Sequence, residues 1–131
     1  MNRNALYKWF FCFWTLAILV LLLLPPGFFS GNAEKIVRIP YSDKIVHFIL
    51  FGVFCLAFYL YIKTRRIIDK KNLMLLCLSV TAAYGMAGEL LQMLTNRWLH
   101  RTFSWTDFVA DVAGALFALL FTLVAKNKSN R

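Results

Sequence analysis

The sequence is short of charge, of acids above all, and of helix breakers. Of its 131 residues only 16% are charged, six are Asp or Glu and three are Pro, whereas an ordinary soluble domain is about 25% charged. That shortage excludes a fold that depends on a continuous water-facing polar surface. Gly-rich phosphate loops, G-x-S-x-G and H-E-x-x-H are all missing, which removes the motif-defined nucleotide, serine-hydrolase and zinc-protease readings. The three cysteines, Cys12, Cys55 and Cys77, show no metal-ligand spacing and fall inside apolar runs. They are expected as buried small hydrophobes, not as disulfide partners.

What is present is apolar length. Hydrophobic residues make up 60% of the chain, and a membrane span needs about 20 predominantly apolar residues. Four such runs occur, at about Leu6–Leu24, Lys44–Ile62, Leu73–Leu94 and Trp105–Val124. The first is unbroken from Trp9 to Leu24 and stops at Pro25-Pro26. Connections of roughly 10 to 20 residues join the runs, which predicts one domain over residues 1–131, an all-α membrane protein built as a four-helix transmembrane bundle. A cleaved leader is the alternative for the first run, given its basic start and the small residues Gly31–Ala33. The run exceeds the about 7 to 15 residues of a signal core, so the span is expected to stay.

The net charge of +9 is unevenly placed. The N-terminus (Arg3, Lys8), the Lys63–Lys71 loop and the tail (Lys126, Lys128, Arg131) hold ten of the fifteen basic residues and one acid, Asp69. The remaining loops and adjoining helix ends balance Lys35, Arg38, Lys44, Arg97 and Arg101 against Glu34, Asp43, Glu89, Asp107 and Asp111. Excess Lys and Arg mark the cytoplasmic side, so both termini and the middle loop are expected inside, with the basic loop against anionic headgroups. A nucleic-acid partner is not expected, because loops of about ten residues offer no continuous basic surface.

Polar residues inside the runs share one depth. At about 1.5 Å rise per residue, His47, Glu89, Gln92 and Asp111 fall in a layer roughly 5 to 10 Å below the outer boundary. Asp43 with His47 and Asp107 with Asp111 stand at i and i+4, and Glu89 with Gln92 at i and i+3, so each pair shares a helix face. Small residues continue these stripes: Ala82 and Gly85 lead to Glu89, and Asp111 leads to Gly114 and Ala118. Small stripes allow close helix approach in lipid, so the two are expected to face one another with the carboxylates inward.

Several of these residues also have ordinary explanations. Asp43 beside Ser42 suits a helix cap, and Asp107 in S-W-T-D suits a capping box. Arg97, His100 and Arg101 fit interfacial residues reaching toward headgroups beside Trp98 and Trp105, and Gln92 near the interface needs no special role. His47, Glu89 and Asp111 are harder to explain this way. An ionised acid at the centre of a spanning helix costs about 2.5 to 3.5 kcal/mol on insertion scales, and intramembrane ionisable residues are functional by default. Arg101 offers a bidentate positive partner, and His47 another.

Three motifs in order, D-K-I-V-H-F from Asp43, G-M-A-G-E-L-L-Q from Gly85 to Gln92 and R-T-F-S-W-T-D-F-V-A-D-V-A-G from Arg101 to Gly114, resemble the signature of the VanZ-like family of small bacterial membrane proteins. The resemblance covers about Tyr41 to Leu120. It implies that Asp43, His47, Glu89, Gln92, Arg101, Asp107 and Gly114 occupy the family's recurrent positions, and it places the chain in the bacterial cytoplasmic membrane. Asp111 departs from the pattern, which often has Asn there; only a protonated Asp111 could donate a hydrogen bond as an Asn amide does. The founding member is associated with resistance to the glycopeptide teicoplanin.

Residues and resemblance together lead to an expected function: a cell-envelope protein whose outward-facing polar pocket binds a lipid headgroup, a lipid-linked envelope precursor or a glycopeptide. Asp43, His47, Glu89, Gln92, Arg101, Asp107 and Asp111 are the candidate ligand-binding residues. The alternative is an intramembrane enzyme acting on a lipid or lipid-linked substrate, with His47, Glu89 and Asp111 as candidate catalytic acid and base. No cofactor is expected. Metal ligation by His47, Glu89 and Asp111 is chemically reasonable, but no short motif specifies it. Transport ranks last, because transporter sites usually lie near the midplane between broken helices.

Overall fold

A computed structural model describes residues 2–24, 42–95, 97 and 103–129. Four helices long and apolar enough to cross a membrane occupy most of them: α1 (Arg3–Leu23), α2 (Ser42–Lys63), α3 (Lys70–Leu94) and α4 (Trp105–Ser129). Each coincides with one of the apolar runs and extends past it at one end or both. α1 and α3 each start about a turn before their apolar residues do. Asn2 caps α1 by accepting the Asn4 N–H at 3.2 Å, and Asp69 caps α3 by accepting the Asn72 N–H at 3.2 Å. A polar cap satisfies orphan amides and so lets a helix begin among polar residues. Between α2 and α3 the chain turns at Thr64–Arg66, with Arg66 in the left-handed region at φ 53°.

Side-chain pairings fix the topology. The Phe11 and Phe58 rings pack at a tilt, with centroids 5.1 Å apart, while the Trp14 indole N–H donates to the Leu50 carbonyl at 3.0 Å, so α1 and α2 run in opposite directions. Glu89 reaches Ser104 and Gly85 lies against Asp111, which makes α3 and α4 antiparallel. Lys44 meets Asp107 and Gly52 meets Gly114, so α2 and α4 run parallel. The result is an up-down-up-down bundle. One end gathers the starts of α2 and α4 with the finishes of α1 and α3.

The most extensive contact is between α2 and α4. A Cβ at Gly114 would collide with the Phe48 carbonyl oxygen, and one at Gly52 would stand 3.1 Å from the Gly114 carbonyl oxygen. Two glycines facing each other let the backbones touch. The expected facing of the two small stripes is therefore only half right: Gly85 does meet Asp111, but Gly114 packs on α2, because Gly52 there presents bare backbone.

Below this crossing Cys55, Tyr59, Leu73, Cys77, Ala115 and Leu119 form one buried cluster, and Ile18, Leu22, Phe51 and Phe54 form another. Cys55 and Cys77 are thus buried as expected, whereas Cys12 is exposed on α1. Large apolar side chains cover the outside, among them Trp9, Phe13, Leu16, Phe117 and Phe121. So much exposed hydrocarbon suits lipid and not water. At the end opposite the polar residues, Arg3, Tyr7, Lys63 and Arg66 line a cavity of about 440 Å³.

Candidate functional site

α2, α3 and α4 each deliver ionisable side chains to the same end of the bundle. His47 lies one turn into α2, Asp111 lies two turns into α4, and Glu89 lies in the last turns of α3. All three are buried, at 3%, 0% and 1% exposure respectively. One ligating atom from each falls within 4.8 Å of the others. The sequence expectation that separate spans bring these residues together is met by this geometry.

The closest contact in the group is His47 Nδ1 with Asp111 Oδ1, at 2.9 Å. Two heavy atoms at that distance share one proton, either donated by the imidazole N–H or by the carboxyl O–H. The second Asp111 oxygen, Oδ2, has no partner among the described residues and rests against Gly85, where a Cβ would stand 2.7 Å from it. Gly85 therefore makes room for the carboxylate. The Phe51 ring lies nearly parallel to His47, with centroids 6.1 Å apart.

Glu89 is anchored by one oxygen only. Its Oε2 accepts the Ser104 backbone N–H at 2.8 Å, while Oε1 is buried without a partner among the described residues. This bond also explains why the S-W-T-D capping box is only half formed. Ser104 Oγ accepts the Asp107 N–H at 3.3 Å, but the return limb to the Ser104 N–H is taken by Glu89. Asp107 is thereby released, and its Oδ1 accepts from Lys44 Nζ at 3.2 Å.

A second group lies above the first. Ligating atoms of Asp43, His47 and Asp107 also fall within 4.8 Å of one another, and Asp43 is exposed. His47 belongs to both groups. It links an acidic rim, exposed at Asp43 and buried at Asp107, to the two carboxylates of Glu89 and Asp111.

Gln92 is used differently. Its Nε2 donates to the Leu22 carbonyl at 3.1 Å, satisfying an orphan acceptor at the end of α1. Arg101 and His100 lie outside the described residues, as do the small residues Gly31–Ala33; Arg97 is exposed. Sequence reasoning passed over Lys44, Ser104 and Gly52. Lys44 stands next to Asp43 in the first motif, and Ser104 is the first letter of the capping box, so both signals were local and visible. Which partners they choose was not.

Chemically, the centre has acceptors in excess. Two carboxylates face at most one positive imidazolium, so a further proton or cation is needed for neutrality. An uncompensated buried charge is strongly unfavourable.

A family model described as VanZ/LLP1 matches residues 9–126 of the chain. No curated protein and no solved structure matches it.

Proposed function

The chain belongs to the VanZ-like family, and from that premise we propose that it is a bacterial inner-membrane protein whose polar end faces outward and binds the polar group of an outer-leaflet lipid or lipid-linked envelope molecule. The observation that carries this reading is the meeting of His47, Glu89 and Asp111, from three different helices, at one end of an otherwise apolar bundle. Ionisable groups are costly in lipid and are kept there for a task. An apolar groove of about 310 Å³ between α2 and α4 supports a lipid as the ligand, since it starts at Phe48, next to His47, and continues past Gly52 to Phe121. In this reading an acyl chain lies in the groove while the headgroup meets Asp43, Lys44 and Asp107 at the rim. Arg101, assigned by motif alone, adds positive charge for a phosphate. The basic opposite end, with Arg3, Lys63 and Arg66, suits the anionic cytoplasmic leaflet, which supports a reading with both termini inside.

The test is native mass spectrometry of the chain released from vesicles containing phosphatidylethanolamine, phosphatidylglycerol and a polyprenyl-pyrophosphate-linked sugar, with free glycopeptide as a separate arm. One of these classes should stay bound to the wild type and drop at least about tenfold in occupancy in Asp107→Asn combined with Lys44→Gln. Equal retention of every class by both proteins would end the proposal.

A second reading, an intramembrane enzyme, is favoured by the 2.9 Å His47–Asp111 contact. A carboxylate so placed orients an imidazole for general acid or base work. Turnover of a lipid-linked substrate that disappears in His47→Ala with normal membrane insertion would select this reading over simple binding.

A further inference from the structure

We propose that His47, Glu89 and Asp111 form a binding site for one divalent transition-metal ion of the Mn²⁺ to Zn²⁺ series, held by a His47 ring nitrogen, Glu89 Oε1 and Asp111 Oδ2. The inference shares the meeting of His47, Glu89 and Asp111 with the lipid reading, but it concerns what this buried group holds and not what the rim binds.

Three observations converge on a cation. The first is donor geometry: one atom from each residue lies within 4.8 Å of the others, and ligands about 2.1 Å from an ion stand roughly 3 to 4 Å apart, a span that an ion closes by drawing the carboxylates inward. The second is the pair of orphan atoms. Glu89 Oε1 and Asp111 Oδ2 are the two fully buried side-chain polar atoms without a partner among the described residues. The third is charge. A neutral imidazole with two carboxylates carries two negative charges, which a divalent ion cancels in full.

The surroundings suit such a site. The Ser104 N–H fixes Glu89 by Oε2, which leaves Oε1 for the ion, and Gly85 keeps the space beside Asp111 Oδ2 clear. Outer contacts of this kind orient metal ligands. One nitrogen with two carboxylate oxygens is too soft a set for Ca²⁺ or Mg²⁺ and too hard for Cu⁺, so Mn²⁺, Fe²⁺ and Zn²⁺ are the ions it fits. Three protein ligands also leave a coordination position open. The rim supplies a route inward: Asp43 is exposed, Asp107 stands beside it, and His47 is shared with the buried group. On loading, the one proton that had partly balanced the two carboxylates leaves to water, so that a neutral imidazole, still carrying one N–H, and two carboxylates remain to hold the ion.

The test uses the full chain purified in detergent without added lipid, stripped by chelator and titrated with Co²⁺ alone, then competed with Zn²⁺. Visible absorption and elemental analysis report the bound ion. The expected result is about one Co²⁺ per chain, displaced by Zn²⁺, with affinity falling at least about tenfold in Glu89→Gln and in Asp111→Asn. Asp69→Asn, at the opposite end, should bind as the wild type does. Wild-type protein that takes up no stoichiometric ion overturns the proposal and leaves shared protons as the counter-charge. Amide variants that bind as tightly as the wild type overturn it too. The wild-type stoichiometry decides the matter even where a variant fails to fold, and because no lipid is present a negative result leaves the headgroup reading untouched.

Discussion

Glu89 is held by one oxygen and free at the other, and that asymmetry separates its structural role from its chemical one. Glu89→Gln keeps a carbonyl for the Ser104 N–H and presents an amide that can donate to Asp111 Oδ2. Stability in detergent should therefore change by less than about 1 kcal/mol. Glu89→Ala instead strands the Ser104 amide and is expected to cost about 1 to 3 kcal/mol. A thermal melt of both variants checks the order; equal losses would mean that the Ser104 bond anchors nothing. At the same scale, the resemblance left open how Asp111 works where relatives often carry Asn. The 2.9 Å contact with His47 supplies a physical answer, because an imidazole can hold the proton that an Asn amide would have brought.

Among the elements, Gly85 serves the α3–α4 contact and Gly114 the α2–α4 contact, and the neighbours they meet set how much each can be changed. Beyond Gly85 lies a carboxylate that can rotate; beyond Gly114 lies the Phe48 backbone, which cannot. Gly85→Ala should cost about 1 kcal/mol and disturb the His47–Asp111 contact, while Gly114→Ala forces the helices apart and should cost about 3 kcal/mol or more. Denaturant unfolding of the two variants measures the difference, and a Gly114→Ala protein as stable as the wild type would contradict the close crossing. The sequence made the elements themselves legible, since 60% hydrophobic content leaves four long runs and little else. It also placed His47, Glu89 and Asp111 at one depth, because rise per residue is fixed. Partner choice was beyond its reach. That Gly114 meets Gly52, that Gln92 finishes α1 through the Leu22 carbonyl, and that Glu89 takes the Ser104 amide from Asp107 all depend on how helices rotate against one another, and no periodicity specifies that rotation.

For the whole molecule, charge and burial divide the bundle into a basic end and an acidic one. The orientation proposed above makes a simple prediction with single cysteines introduced at Gly31, Lys70 and Lys128 of a Cys-free variant. An impermeant thiol reagent added to intact cells should label position 31 alone, and labelling of position 70 or 128 from outside would reverse the assignment. Either orientation leaves the central claim in place, that ionisable side chains from three membrane-crossing helices meet inside the bundle. The chain has only two histidines, His47 and His100, which makes that claim open to one direct measurement: magic-angle-spinning NMR of lipid-reconstituted protein carrying ¹⁵N-histidine and ¹³C-carboxyl aspartate and glutamate. The account predicts dipolar coupling between the His47 ring and both the Asp111 and Glu89 carboxyl carbons, vanishing in His47→Ala; a His47 ring coupled to neither, facing acyl chains instead, would contradict it.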